Sequence, residues 1–159
     1  PVLVNHRGQC MFPEVVQQLY LAYLLPLADL VTPNLVETAV LLQNGSIDSF
    51  SKLRHAARRL HEFGAKNVLL KGFQDGSERV DVLFDGHHFV DFRQPQIETD
   101  NTHGSGDVLA AAICAFLAQR VGMETAVAQA QQFTHRAIHR AAHWQLGEGH
   151  GPLAIFSKE

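Results

Sequence analysis

"DNTHGSGDVLAAAICAFLAQ" (100–119) sets a small polar turn directly against a greasy run. Gly104, Ser105 and Gly106 make the turn, Asp107 follows, and the next dozen residues are almost wholly apolar. The run is long enough for a buried helix, so the turn is that helix's start. Two glycines there allow positive φ and close approach of the backbone. The first N–H groups of a helix lack intrahelical partners, and the helix dipole adds partial positive charge. Such a turn can hold a phosphate, or the charge that grows on a transferring phosphoryl group. It lacks the Gly-Lys-Ser/Thr ending of a Walker loop and the third glycine of a dinucleotide fingerprint. The plainer reading is that Asp107 caps the helix, as Asp often does. The local pattern does not separate the two.

Working outward, the remaining segments alternate in type. "PVLVN" (1–5) reads as a buried strand with a loop at its carboxyl end, and "DLVTP" (29–33) as a second strand. "FPEVVQQLYLAYLLPLA" (12–28) reads as a helix with Pro13 in its first turn, and "NLVETAVLLQ" (34–43) as a short helix. In 48–64, Leu53, Ala56, Ala57 and Leu60 share one face, basic residues cover the other, and Gly64 is a stop signal. "KNVLLKG" (66–72) is a third strand, and 79–92 is a hairpin about Asp85-Gly86. Helices at about 105–120 and 123–144 complete the chain. This order predicts an α/β fold of three layers, αβα, with a mostly parallel sheet in a single domain, 1–159. Ligands then gather beyond the carboxyl ends of the strands, near 5–8, 33–37, 71–75 and 101–107.

The totals exclude several classes. Of the 159 residues, 46% are apolar and 18% charged, which marks a globular chain with a real core. The net charge of -3 and the lack of a basic block leave a nucleic-acid surface without support. The longest greasy region is broken by Pro26 and Asp29, so no membrane span is expected. Cys10 and Cys114 give neither a disulfide framework nor zinc spacing; Cys114 reads as a small core residue. A reducing cytoplasm is the expected location.

"NTHGSGD…AAI" resembles the signature near the carboxyl end of the ribokinase-like kinases, closest to the hydroxymethylpyrimidine/phosphomethylpyrimidine kinases of thiamin synthesis. "LLPLADLVTPNLVE" (24–37), "AARRLHEFGAKNVLLKG" (56–72), "DVLFDG" (81–86) and "GHGPL" (149–153) agree in the same order. The resemblance implies a ribokinase-like sheet and an ATP- and magnesium-dependent kinase. It also implies roughly a hundred further residues ahead of Pro1, on the scale of half a domain. The chain is thus expected to be the carboxyl-terminal, nucleotide-binding portion of such an enzyme.

The resemblance further implies roles. Gly104, Ser105 and Gly106 fall on the anion hole, and Asp107 on the base that accepts the substrate hydroxyl proton. Many pyrimidine kinases of this branch carry Cys there, and Asp is the choice of ribokinases and pyridoxal kinases. Asn34 and Glu37 match a motif that orders water around magnesium; the same pair also reads as a capping box. Lys71 matches a lysine facing the phosphates, and Thr102, Gly149 and Gly151 match nucleotide contacts. His103 reads as a turn residue. Asn5 stands where the family usually has an acid that supports the magnesium site, and the loop after it is shorter.

His135, His139 and His143 recur every four residues, as helix ligands for a metal do. Phe133, Ala137 and Ala141 read as the apolar stripe, which turns the histidines to solvent. The expected reaction moves the γ-phosphate of ATP to a hydroxymethylpyrimidine or its phosphate. A pyridoxal-type vitamin kinase and a truncated, non-catalytic nucleotide- or partner-binding domain are the rivals. A half-sheet exposes an apolar edge and helix faces, so a homodimer, or further sequence, is expected to cover them.

Overall fold

Val68–Asp75, Glu78–Phe84 and Phe89–Pro95 form strands β1, β2 and β3 of one sheet, in that order. The structure, a computed structural model, describes residues 2–5 and 9–156. The chain packs as two compact units, Pro1–Arg93 and Gln94–Glu159.

In the first unit β1 and β2 are antiparallel, from Val68 opposite Phe84 to Asp75 opposite Glu78. Gly76, at φ +61°, and Ser77 make the tight connection between them. Val68, Leu69 and Leu70 are fully buried, as a strand covered on both faces requires. Helix α3 (Phe50–Glu62) packs on β1 and β2 through Leu53, Ala56, Ala57 and Leu60, the face expected from its spacing. Its stop at Gly64 has a physical cause. Gly64 sits at φ +104°, and a Cβ there would press on Pro26 at 3.0 Å. Strands β2 and β3 are neighbours joined through 85–88, where the sequence placed a hairpin.

The sheet is antiparallel, which corrects the expected mostly parallel one; the α/β class stands. The reason lies in β1. It runs past Lys71 to the turn at Gly76 and returns as β2, so β2 takes one of its edges. Among the described residues, parallel pairing with β1 survives only as bridges from Val31 to Val68 and from Asn34 to Lys71. Val31 N–H donates to Asn67 O (3.0 Å), Leu69 N–H to Val31 O (2.8 Å) and Lys71 N–H to Pro33 O (3.1 Å). Pro33 has no N–H, and helix α2 (Leu35–Leu42) starts two residues later, so the expected strand at 29–33 stays a short edge contact.

The expected first strand also differs. Val4 makes a single antiparallel bridge to Cys10, Leu3 is buried and Val2 is exposed. Pro1 and residues 6–8 lie outside the described residues, and with them most of the loop expected at 5–8. The helix expected over 12–28 becomes three pieces. Helix α1 (Glu14–Leu19) begins after Pro13, a π-helical turn covers Tyr20–Leu24, and a 3-10 turn covers Leu25–Leu27. Pro26 cannot donate to a carbonyl one turn back, so the ladder re-spaces before it.

In the second unit α4 (Ser105–Ala118) packs on α5 (Met123–Ala141). Helix α5 buries Ala126, Val127, Ala130, Thr134, Ala137 and Ala141. Two expectations fail here. Phe133 is one residue off that stripe and is exposed, and Cys114 is one residue past the buried Ile113 and is exposed. A step of one residue on a helix rotates a side chain far from its neighbour's face. Helix α5 also ends before 144. Asn101 Nδ2 donates to the carbonyls of Ala141 (2.6 Å) and Trp144 (2.9 Å), closing the helix end.

Candidate active site

Helix α4 begins without a side-chain cap. Its N-cap is Gly104, in the left-handed region at φ 82°, ψ 3°. A Cβ at Gly104 would meet nothing within 4 Å, so backbone conformation alone asks for glycine there. Val108 N–H donates to Gly104 O (2.9 Å), the first helical bond. Ser105 N–H is taken by Thr102 O (3.1 Å), so this amide does not belong to an open cradle as expected. A tight turn folds residue 105 back on residue 102. Among the described residues, the N–H groups of Gly104, Gly106 and Asp107 have no protein partner. Asp107 is exposed at the third helical position, and its carboxylate bonds to no group there. Three open amides at a positive helix end, with a carboxylate beside them, can hold an anion and accept a proton.

The carboxyl-terminal glycine turn leads to the same spot. His103 N–H donates to Gly151 O (3.2 Å), and His103 pairs with Pro152 in a parallel bridge. Gly151 is buried, and a Cβ on it would collide with the Asn101 side chain. Gly149 lies at an open cleft of about 700 Å³ whose lining includes Asp100, Asn101, Trp144 and Gly147. Thr102 is exposed, with its carbonyl spent on Ser105. His103 is a turn residue, as its position implied. The sequence reading passed over Asn101, whose amide fixes both the end of α5 and the approach to Gly104. Its place inside the quoted signature was the available signal.

In the first unit Asn34, Glu37 and Lys71 come together. The Asn34–Lys71 bridge sets the start of α2 against β1. Glu37 N–H donates to Asn34 Oδ1 and Asn34 N–H to Glu37 Oε2, both at 2.8 Å. The capping-box reading of this pair is therefore realised in full. Glu37 is 5% exposed. Lys71 is half-buried, directly before a bulge at Gly72 (φ +81°). Asp81 Oδ1 accepts from Gly72 N–H (2.7 Å), and Arg79 Nη1 donates to Gly72 O (3.0 Å). Asp81 was legible only as one polar step in an alternating strand. Asn5 pairs with Gln9, its Nδ2 donating to Gln9 Oε1 at 3.0 Å.

The histidines form no centre. His135 is half-buried, with Nε2 3.0 Å from Pro95 O, and His139 and His143 are exposed. Among the described residues no group of three or more His, Cys, Asp or Glu could hold a metal ion. The Asn34–Glu37 pair is a poor direct ligand set, since both side chains are engaged in the cap. It suits only a hydrated magnesium ion held through water. No helix among the described residues is long and apolar enough to cross a membrane.

Residues 1–154 match the family model described as phosphomethylpyrimidine kinase. A chloroplastic thiamine biosynthetic bifunctional enzyme of Arabidopsis thaliana is 39% identical over 98% of this chain and 30% of its own length. The hydroxymethylpyrimidine/phosphomethylpyrimidine kinase of Rhizobium meliloti is 38% identical over 99% of this chain and 60% of its own. Among solved structures, an ADP complex of Bacillus subtilis pyridoxal kinase superposes with a TM-score of 0.85 at 28% identity, over 95% of this chain and 56% of that one. Staphylococcus aureus pyridoxal kinase with AMP-PCP and pyridoxal gives a TM-score of 0.85 at 29% identity, over 93% and 55%. The chain thus spans between 28% and 60% of the length of the curated relatives it matches. By sequence, the chain belongs to the phosphomethylpyrimidine kinase family.

Proposed function

We propose that this chain carries the nucleotide-handling part of a kinase. It moves the γ-phosphoryl group of ATP to a hydroxymethylpyrimidine or its phosphate, in a reducing cytoplasm and as a homodimer. The observation that carries the reading is the uncapped start of α4, with open amides at Gly104, Gly106 and Asp107. Phosphoryl transfer has a loose transition state, so catalysis is mostly positioning and charge stabilisation. Gly104 and Gly106 supply N–H groups to phosphate oxygens, and Ser105 holds the turn in shape. Asp107 accepts the proton of the attacking hydroxyl as that oxygen bonds to phosphorus. Lys71 adds positive charge for the phosphates, and Thr102, Gly149 and Gly151 contact the nucleotide. Asn34 and Glu37 hold magnesium through water, and bound magnesium neutralises phosphate charge.

A pyridoxal-type substrate is the second reading. An Asp at 107 and the likeness to a pyridoxal kinase solved with pyridoxal favour it. ATP-dependent ADP release, measured with hydroxymethylpyrimidine and with pyridoxal in parallel, decides between them. Release with the pyrimidine alone is the expected result. No release with either, together with retained ADP binding, would assign the chain to a non-catalytic nucleotide-binding role.

A further inference from the structure

We propose that Asp81 is a positioning residue for Lys71: it holds the bulge at Gly72 that keeps the lysine off the core face with its ammonium uncommitted. The inference rests on the reading above, in which Lys71 adds positive charge for the phosphates of a nucleotide.

The register shows where the strand pair changes step. Leu70 stands opposite Val82, and Phe73 opposite Val80. Two residues of β1, Lys71 and Gly72, therefore face one residue of β2, Asp81. Side chains alternate between faces along a strand, so in a regular β1 Phe73 would point away from Leu70. Yet Leu70, Phe73, Val80 and Val82 all belong to one buried cluster. The extra residue in β1 restores Phe73 to the core face. Lys71 and Asp81 each adjoin a core-facing residue, Leu70 and Val82, and so share the opposite face of the sheet.

Asp81 holds this bulge through the Gly72 backbone. Gly72 sits at φ +81°. Asp81 Oδ1 accepts from Gly72 N–H at 2.7 Å, and Arg79 Nη1 donates to Gly72 O at 3.0 Å. Both polar groups of the glycine are thus taken by side chains of β2. A carboxylate on the same face as an ammonium one strand away invites an ion pair. Asp81 spends this oxygen on the backbone instead, and among the described residues the Lys71 ammonium bonds to no protein group. The Lys71 backbone is also fixed from its other edge, its N–H donating to Pro33 O at 3.1 Å. A held backbone sets the direction in which the side chain leaves the sheet. Only the side-chain torsions then remain to be ordered when an anion arrives.

Isothermal titration calorimetry of the 159-residue chain with ATP tests this. Lys71→Ala should weaken ATP binding by about tenfold or more, as loss of a charged hydrogen-bond donor does. Asp81→Ala should weaken it by a similar factor, about tenfold. Asp81→Asn keeps the Oδ1 acceptor and should bind ATP as the parent does. In a Lys71→Ala background, Asp81→Ala should add no further loss, because one residue acts through the other. If circular dichroism shows Asp81→Ala unfolded, Gly72→Ala replaces it. That site has space for the methyl group, and the left-handed backbone alone loosens the bulge, so the same loss is expected. A loss that persists in full in the Lys71→Ala background would make Asp81 merely structural and overturn the proposal. A loss in Asp81→Asn as large as in Asp81→Ala would place the cause in its charge and overturn it equally. Unchanged ATP affinity in Asp81→Ala, with affinity lost in Lys71→Ala, removes the positioning role and leaves the nucleotide reading standing. A parent chain that binds no ATP at millimolar concentration removes both.

Discussion

The starts of α2 and α4 solve the same problem in opposite ways. Each helix begins with N–H groups that have no partner within the helix. At α2 the protein takes two of them itself: Glu37 N–H donates to Asn34 Oδ1 and Asn34 N–H to Glu37 Oε2. At α4 a left-handed glycine takes the N-cap position, and a glycine has no side chain to offer. The first arrangement spends its polar groups on stability. The second leaves them open. An acid three residues after the cap position therefore means different things at the two ends. Glu37 is buried and bonded, and Asp107 is exposed.

The largest expected effect tests the open end. Asp107→Asn should lower turnover by about 10²- to 10⁴-fold, read as ADP release, and leave the melting temperature unchanged. A drop in melting temperature would make Asp107 a structural cap and erase the contrast. Asn34→Ala probes the closed end. Removing that cap should cost about 1 kcal/mol in urea unfolding, since Glu37 N–H loses its acceptor. Unaltered stability would mean that α2 does not need its box. Gly104→Ala asks whether the open end is held by conformation alone. With space for the methyl group, the only penalty is the left-handed backbone, about 1 kcal/mol or somewhat more.

The smallest effect concerns a third set of amides, at the β2–β3 connection. Donation from the His88 and His87 N–H groups holds the Asp85 carboxyl below the ordinary aspartate range. A depressed value means that the ionised form is favoured in the folded state. Its contribution is complete above the ordinary aspartate pKa and is lost as pH falls through the folded value. Asp85→Asn should therefore lower stability slightly at neutral pH, leave it little changed below the folded value, and so flatten the acid limb of the stability curve. Thermal melts between pH 2 and 6 would show an identical acid limb if the turn contributes nothing.

Much of the site was legible because capping and turn chemistry are local. The box at Asn34 and Glu37 is written within four residues, and so is the glycine turn before Asp107. The buried face of α3 followed from its spacing. Other features depended on distant chain. Asp81 matters only because β2 folds back to place it beside Gly72, and Asn101 only because α5 ends against it. Phe133 and Cys114 were misplaced because a run apolar on most sides does not reveal which side its neighbour covers.

The sequence by itself determined where helices start, which turns need glycine, and to which family the chain belongs. Each of these rests on interactions within a few residues, or on matched order along the chain. Tertiary structure decided the direction of strand pairing, which faces are covered, and which amides stay open. Those outcomes turn on competition for partners. The Gly76 turn gave β1 its antiparallel neighbour, and Thr102 took the Ser105 amide, while no protein acceptor took the N–H groups of Gly104, Gly106 or Asp107 among the described residues. Hydrogen-bonding groups are finite, and only the folded chain settles which of them find each other.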